Sequence, residues 1–246
     1  MPNRRAVLMA AVFSFGLASA AHAETRADAV ALAYQSNPTL LAFDSRALDF
    51  VNVPADLVPR VLAADGQLLP AYAQQGVTLH KIVQNSLSYT YFNMDDPVVG
   101  GYTPDKIALR RAVVMGFDTD DLIKVVWQGQ ARVATQIVPP EASGHLKGFD
   151  VHPAYDPATA RALLDRFGYK DRDGDGFREL PDGKPFTLMM GSTPTGRDRD
   201  RDELWKKSMN AIGVKIDFIK QKWPELLKMG RDGNQLQMWG VGWINN

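Results

Sequence analysis

The stretch "YDPATARALLDRFGY", Tyr155–Tyr169, reads as a helix with both of its ends written in. Asp156 is placed to cap the first turn. Pro157 follows where a missing N–H costs nothing. Ala160, Leu163, Leu164 and Phe167 recur at i, i+3, i+4 and i+7, which makes one apolar stripe. Gly168 stops the helix, because only glycine enters the left-handed conformation of a C-terminal cap at no steric cost. A helix with one stripe needs a surface to cover, and the chain downstream supplies strands. "KPFTLMMGS", Lys184–Ser192, is a strand; "RDELWKKSMNAIG", Arg201–Gly213, a helix; "VKIDFIK", Val214–Lys220, an alternating strand. "WPELLKMGRDG", Trp223–Gly233, is a helix, and "QLQMWGVGW", Gln235–Trp243, a buried strand. Strands alternating with helices predict an α/β architecture.

Upstream, "TPDKIALRRAVVMGFDTDDLIKVVWQG", Thr103–Gly129, holds two helices. Thr103 or Pro104 opens the first, and Ile107, Val114 and Met115 form its expected apolar face. Asp118 or Thr119 caps the second and Gly129 ends it. "VTLHKIVQNSLSYTYFNM", Val77–Met94, has two strand-like runs rich in Val, Thr, Tyr and Phe. "LDFVNVP", Leu48–Pro54, is a short apolar strand stopped by proline, and "ADLVPRVLAADG", Ala55–Gly66, a helix and turn.

The 246 residues carry 28 basic and 28 acidic side chains and no cysteine. The balance of charge offers no basic stripe to a nucleic acid. Without cysteine there is no disulfide, thiol nucleophile or thiolate metal site. Arg4 and Arg5, the apolar run Ala6–Ala20 and the small-residue site Ala21–Ala23 follow the order of a secretory signal, Met1–Ala23. Its apolar run is short for a membrane span, which needs about 20 residues. The reading is of an exported, periplasmic chain. After it, Glu24–Ala42 forms a short alanine-rich helix and its exit at Pro38. This segment resembles the start of TolC-like outer-membrane efflux proteins.

"DRDGDGFRELPD", Asp171–Asp182, alternates aspartates as a calcium loop does. An EF-hand needs a helix running into its first position and another leaving its twelfth. Here the preceding helix has ended at Gly168, "LPDG" forbids an exit helix, and Asp182 stands where a bidentate glutamate belongs. Two readings stay open: turn aspartates that accept from nearby backbone N–H groups, or an opportunistic calcium site on an irregular loop. No "GxSxG", "HExxH" or "GxxxxGK" motif occurs, and His80, His145 and His152 have no partner at metal spacing. The chain is therefore not expected to be an enzyme, and no cofactor is expected.

The order of these pieces resembles the family 5 extracellular solute-binding proteins, the oligopeptide and dipeptide receptors of bacterial ABC importers. "LDFVNVP", "SYTYFNM", the helix pair with Arg110, Ala112, Asp118 and Gly129, "YDPATARALLDRFGY", "WKKSMNAIGVKIDFI", "WPELLK" and "QMWGVGW" follow in the family's order across residues 43–246. The resemblance implies a partial periplasmic binding protein fold of the type II kind, mostly one lobe. It divides the chain into a signal peptide (1–23), an efflux-like helix (24–42), a remnant of the first lobe with crossover strands (43–102) and a second lobe cut short (103–246). It implies binding of a peptide or similar small solute by lobe closure, delivery to an inner-membrane ABC permease, and no chemistry. By the same resemblance the ligand-binding residues are Asn93, Trp223, Gly242, Trp243, Ile244 and Asn246. Asn246 stands where the family commonly has the carboxylate that holds a peptide's amino terminus, and an amide supplies no charge. The chain is also shorter than the family's, so a chimeric or truncated product is the expectation.

Overall fold

A computed structural model describes residues 38–231 and 235–244. The expected signal and most of the expected Glu24–Ala42 helix lie outside them. The chain divides into two compact units, Met1–Val51 and Asn52–Asn246. In the first, α1 spans Pro38–Asp44; the expected helix that exits at Pro38 lies outside the described residues. "LDFVNVP" forms no strand, and Phe50 is 67 % exposed. A single apolar run with no neighbouring strand to pair with gains nothing from extension.

The second unit opens with a 3₁₀ turn, Ala55–Leu57, and two one-turn helices, α2 (Val58–Val61) and α3 (Pro70–Ala73). Of the two strand-like runs in Val77–Met94 only the second is a strand, β1 (Ser86–Phe92). The helices α4 (Pro104–Gly116), α5 (Thr119–Val125) and α6 (Pro157–Arg166) follow. Then come β2 (Leu188–Ser192), α7 (Gly196–Ala211), β3 (Ile216–Lys220), α8 (Trp223–Arg231) and β4 (Met238–Ile244). The strands form one sheet in the order β1-β4-β2-β3. β1 runs antiparallel to β4 in register from Ser86↔Ile244 to Phe92↔Met238. β2 runs parallel to both β3 and β4.

One face of the sheet is covered by α4, α6 and α7. Leu109, Ala112, Val113, Ala160, Leu164, Trp205 and Met209 close over Leu188, Met190, Ile216 and Met238. The buried stripe of α4 is Ala108, Leu109, Ala112, Val113 and Gly116, not the expected Ile107, Val114 and Met115. Small residues win that face because α4 meets α6 and α7 closely; a Cβ on Gly116 would lie 2.9 Å from Ile212 Cδ1. Phe117 stacks on Trp205 with ring centroids 3.8 Å apart. The other face holds a smaller cluster, Leu226 of α8 with Leu236 and Trp239. Gly191 lets these approach: a Cβ there would stand 3.0 Å from both Leu236 Cδ1 and Trp239 Cδ1.

The caps follow the sequence. Asp118 accepts from Asp121 N, and Asp156 accepts from Thr159 N at 2.8 Å and Thr159 Oγ1 at 2.6 Å. Gly168 has φ +85°. α7 starts five residues before the expected Arg201, because Thr195 provides the cap by accepting from Asp198 N. Between α5 and α6 a long irregular stretch is organised by Gln136, which is nearly buried. Its Nε2 donates to Leu146 O at 2.7 Å and its Oε1 accepts from Leu146 N at 3.0 Å. Val151 N donates to Thr135 O beside it.

Leu164 has no exposure and sits in the larger cluster. Leu164→Ala is expected to cost about 2–5 kcal/mol, from lost transfer energy and the cavity left behind, measured by urea unfolding. The hydrogen bonds from Thr159 hold the Asp156 carboxyl below its ordinary value of 3.8. A depressed carboxyl pKa stabilises the fold above the ordinary value and stops doing so as pH falls through the lowered one. The Tm deficit of Asp156→Ala should therefore be complete at pH 7 and disappear in acid, which a pH series of melting curves reads directly.

Candidate ligand-binding edge of the sheet

β2, β3 and β4 point the same way, so their C-terminal ends make one edge of the sheet. In open α/β sheets ligands bind outside such carboxyl ends. Helices α7 and α8 begin at this edge, straight after β2 and β3. β4 passes beyond it. Its pairing with β2 consists of Met190↔Met238 and Gly191↔Trp239, while its pairing with β1 continues to Ile244. Val241–Ile244 and their β1 partners therefore form a two-stranded ribbon. Among the described residues no strand pairs with the β2 side of β4 in that segment, and alternate residues there direct N–H and C=O groups outward.

The ribbon has two unlike faces, since successive side chains alternate. Leu87, Tyr89 and Tyr91 pair with Trp243, Val241 and Trp239 on one face. Tyr91 meets Trp239 edge-on at 6.5 Å, and Trp223, the first residue of α8, lies 6.4 Å from Trp239. Burial, and then the neighbouring Tyr89, push the Tyr91 hydroxyl above its ordinary pKa, so it is a neutral donor at any ordinary pH. Trp223 is 57 % exposed and Trp243 38 % exposed. These aromatics run from the core out to solvent. The other face carries Gly240 and Gly242 opposite Thr90 and Ser88, a flat surface of backbone and hydroxyl groups.

Where the ribbon meets the sheet, charged groups gather. Asp202, 2 % exposed, accepts from Ser192 Oγ at 2.7 Å and from Lys220 Nζ, which ties the ends of β2 and β3 to α7. Asp198 accepts from Thr193 N at 3.1 Å and from Thr193 Oγ1, and its other oxygen forms an ion pair with Arg201, Nη2 to Oδ1 at 3.2 Å. The Arg201 guanidinium lies over the glycine face: Nη1 is 3.5 Å from the position a Cβ on Gly240 would take.

Of the residues expected to bind ligand, Gly242, Trp243 and Ile244 fall together on the ribbon, and Trp223 stands at the same edge. Asn246 lies outside the described residues. Asn93 is at the far end of the sheet, where its N–H donates to Gln237 O. Six residue steps separate that level from Trp243, roughly 20 Å at 3.3–3.4 Å per residue. Tyr89, Thr90, Arg201 and Asp202 were not expected at the site. The alternation of "SLSYTYF" was visible, but its register against β4 was not.

The aspartate loop is at the opposite edge. Asp171 accepts from Gly174 N and Gly176 N, Asp173 from Asp175 N, and Asp175 from Phe177 N. These are the backbone contacts of the turn reading. Carboxylate oxygens of Asp171, Asp173, Asp175 and the buried Glu179 also lie within 4.8 Å of one another. A polar depression of about 490 Å³ adjoins this loop. Its Arg178 is already committed to Asp165, Tyr169 O and Ile212 O, which makes it a structural tie.

The sequence pattern of "Bacterial extracellular solute-binding proteins, family 5 Middle" matches residues 24–246. The match takes in the segment 24–42, which was expected to be efflux-like and apart from the family's residues 43–246. The chain is 31 % identical over 144 residues to "Di/tripeptide-binding protein 2" of Pseudomonas aeruginosa, covering 58 % of this chain and 25 % of that protein. It is 27 % identical over 147 residues to the "Dipeptide-binding protein" of Escherichia coli, with 58 % and 25 % covered. The chain thus spans about a quarter of the length of these relatives. Its fold is similar to part of the oligopeptide-binding protein AppA of Bacillus subtilis, solved with a nonapeptide: TM-score 0.59, 21 % identity, 66 % of this chain and 32 % of that one. It is also similar to part of DppA from Helicobacter pylori, solved with the peptide STSA: TM-score 0.58, 21 % identity, 84 % and 34 %.

Because Gly191 has no spare room on the Trp239 side, Gly191→Val should push Leu226, Leu236 and Trp239 apart. The expected cost is about 1–3 kcal/mol, together with a red shift of tryptophan emission as the aromatic row loosens.

Proposed function

The chain belongs to the bacterial extracellular solute-binding proteins of family 5, and on that premise we propose that it supplies one wall of a peptide-binding cleft. The observation that carries the reading is the side of β4 along Val241–Ile244 that pairs with no strand among the described residues, set beside Trp223 and Trp243. An extended peptide adds to such an edge through backbone hydrogen bonds, which give affinity without choosing side chains, while the aromatics shape the subsites. The relatives named for di- and tripeptides support a short peptide as the solute.

The mechanism is binding by closure, with no bond made or broken. A second wall folds over the ligand and the closed form is selected because it alone contacts the peptide on both sides. In this reading residues 103–246 are the second lobe, 43–102 the remnant of the first lobe with the crossover strand β1, and the closed form hands its cargo to an inner-membrane ABC permease from the periplasm. No helix among the described residues is long and apolar enough to cross a membrane.

Thermal unfolding of the full chain with and without a pool of di- and tripeptides tests this. Peptide at a hundred times its dissociation constant should add about 2.7 kcal/mol and raise Tm. Trp243→Ala should weaken binding by on the order of 2 kcal/mol, the loss typical of a central aromatic contact, while leaving the ligand-free Tm close to that of the parent. A Tm that no peptide moves would overturn the proposal.

A further inference from the structure

We propose that Gly230 is a positioning residue for this site. It lets the C-terminal end of α8 rest on Tyr91 and Trp239, and so sets how far Trp223 stands off the ribbon and how wide a solute side chain fits beneath it. The inference rests on the reading of the ribbon edge as the peptide site and names what fixes the width of that site.

Trp223, Leu226, Leu227 and Gly230 recur at i, i+3, i+4 and i+7, one stripe along α8. The stripe runs from an indole to no side chain at all. At its middle Leu226 is fully buried with Leu236 and Trp239. At its start the Trp223 ring lies 6.4 Å from that of Trp239. At its end a Cβ on Gly230 would stand 2.7 Å from Tyr91 Oη and 3.3 Å from Trp239 Cε3. Non-bonded atoms normally touch at about 3.5 Å, so any larger residue here needs the helix or the rings to move. Tyr91 is itself set edge-on against Trp239. Both ends of α8 thus bear on one indole, and glycine is the end that comes close. Gly230 is helical and has no positive φ. The position therefore uses the missing side chain, not the freer backbone, and it does so although glycine weakens a helix relative to alanine.

The two ends of α8 differ in what they face. The glycine end is tied to the segment that leads into β4, where Gln235 N donates to Met229 O at 3.2 Å. The tryptophan end stands at the open edge, with Trp223 57 % exposed. A helix is stiff, and a displacement at Gly230 is carried over seven residues, about 10 Å at 1.5 Å per residue, to Trp223. Trp223 already meets Trp239, so that end cannot tip inward. A side chain at position 230 therefore lifts the helix and opens the space between the Trp223 indole and the ribbon at Val241. With glycine the space is at its narrowest, and the site takes small solute side chains there.

The test is calorimetric titration of the full chain with trialanine and with the three tripeptides in which one alanine is replaced by phenylalanine. Gly230→Ala is expected to raise the affinity for at least one phenylalanine peptide, relative to trialanine, by about tenfold, the low end of what one methylene decides in an apolar pocket. Adding Tyr91→Phe removes the oxygen nearest the new Cβ and should bring that ratio back toward the parent's. Ligand-free Tm values show that the variants fold. If Gly230→Ala does not, Tyr91→Phe alone carries the comparison: the helix then settles closer, and the phenylalanine peptides should lose affinity relative to trialanine. An equal change for all four peptides, or a shifted ratio that Tyr91→Phe fails to reverse, would overturn the inference while leaving peptide binding intact. So would an unchanged ratio in Tyr91→Phe, where that variant carries the comparison. Failure of the parent chain to bind any of the four would instead strike the peptide reading, and the inference with it.

Discussion

Among the described residues β4 is paired along its whole length on one side and for two residues on the other, and the rest of the sheet follows from that inequality. Where both sides are filled, Met238 and Trp239 are buried on opposite faces and join the two hydrophobic clusters. Where one side is empty, the strand carries glycines and exposed aromatics. The same seven residues are thus core at one end and surface at the other. The charged ties among Ser192, Lys220 and Asp202 fall at the changeover, where β2 and β3 end and β4 goes on. An edge that must stay open needs strand ends that do not fray.

The helices were legible because their information is local. Asp156, Pro157, Gly168 and the stripe from Ala160 to Phe167 each speak for a turn within a few residues, and the caps at Asp118 and Asp156 form as read. The strands were legible in kind where a neighbour existed to receive them. "LDFVNVP" and the first run of Val77–Met94 had the composition of strands but no partner, and they remain irregular. The face of α4 was misjudged because alanine and glycine signal little in a periodicity count. Close approach of helices, seen at Gly116 and Ile212, is a property of the pair.

The site was half legible for the same reason. Trp223, Gly242, Trp243 and Ile244 stand out as aromatics and glycines in a strand and at a helix start, and all four lie at the open edge. Asn93 sits beside an aromatic in sequence, as Trp243 sits beside Gly242, yet the antiparallel register sends it to the other end of the sheet. Arg201 and Asp202 lie in "GRDRDRDELWKK", a charged run that reads as solvated helix surface. Only folding α7 over the sheet shows that two of those charges point inward. Register and helix rotation are the two quantities that a one-dimensional reading leaves undetermined, and each of the missed residues is a case of one or the other.

The stretch between α5 and α6 has a buried amide at its centre. Gln136 gives and takes a hydrogen bond with the backbone of Leu146 as a neighbouring strand would, so one side chain stands in for an absent element of secondary structure. The surrounding segment can then hold Ile137, Leu146 and Phe149 outward in a defined shape without a ladder or a helix of its own. A ladder loses its bonds one at a time, whereas removing this one amide would break both bonds to Leu146 together and leave the segment to Val151 N–Thr135 O and His145 Nδ1–Val138 O, so a part of the chain that looks like loop holds as much of its order in one side chain as a strand spreads over a pair of residues.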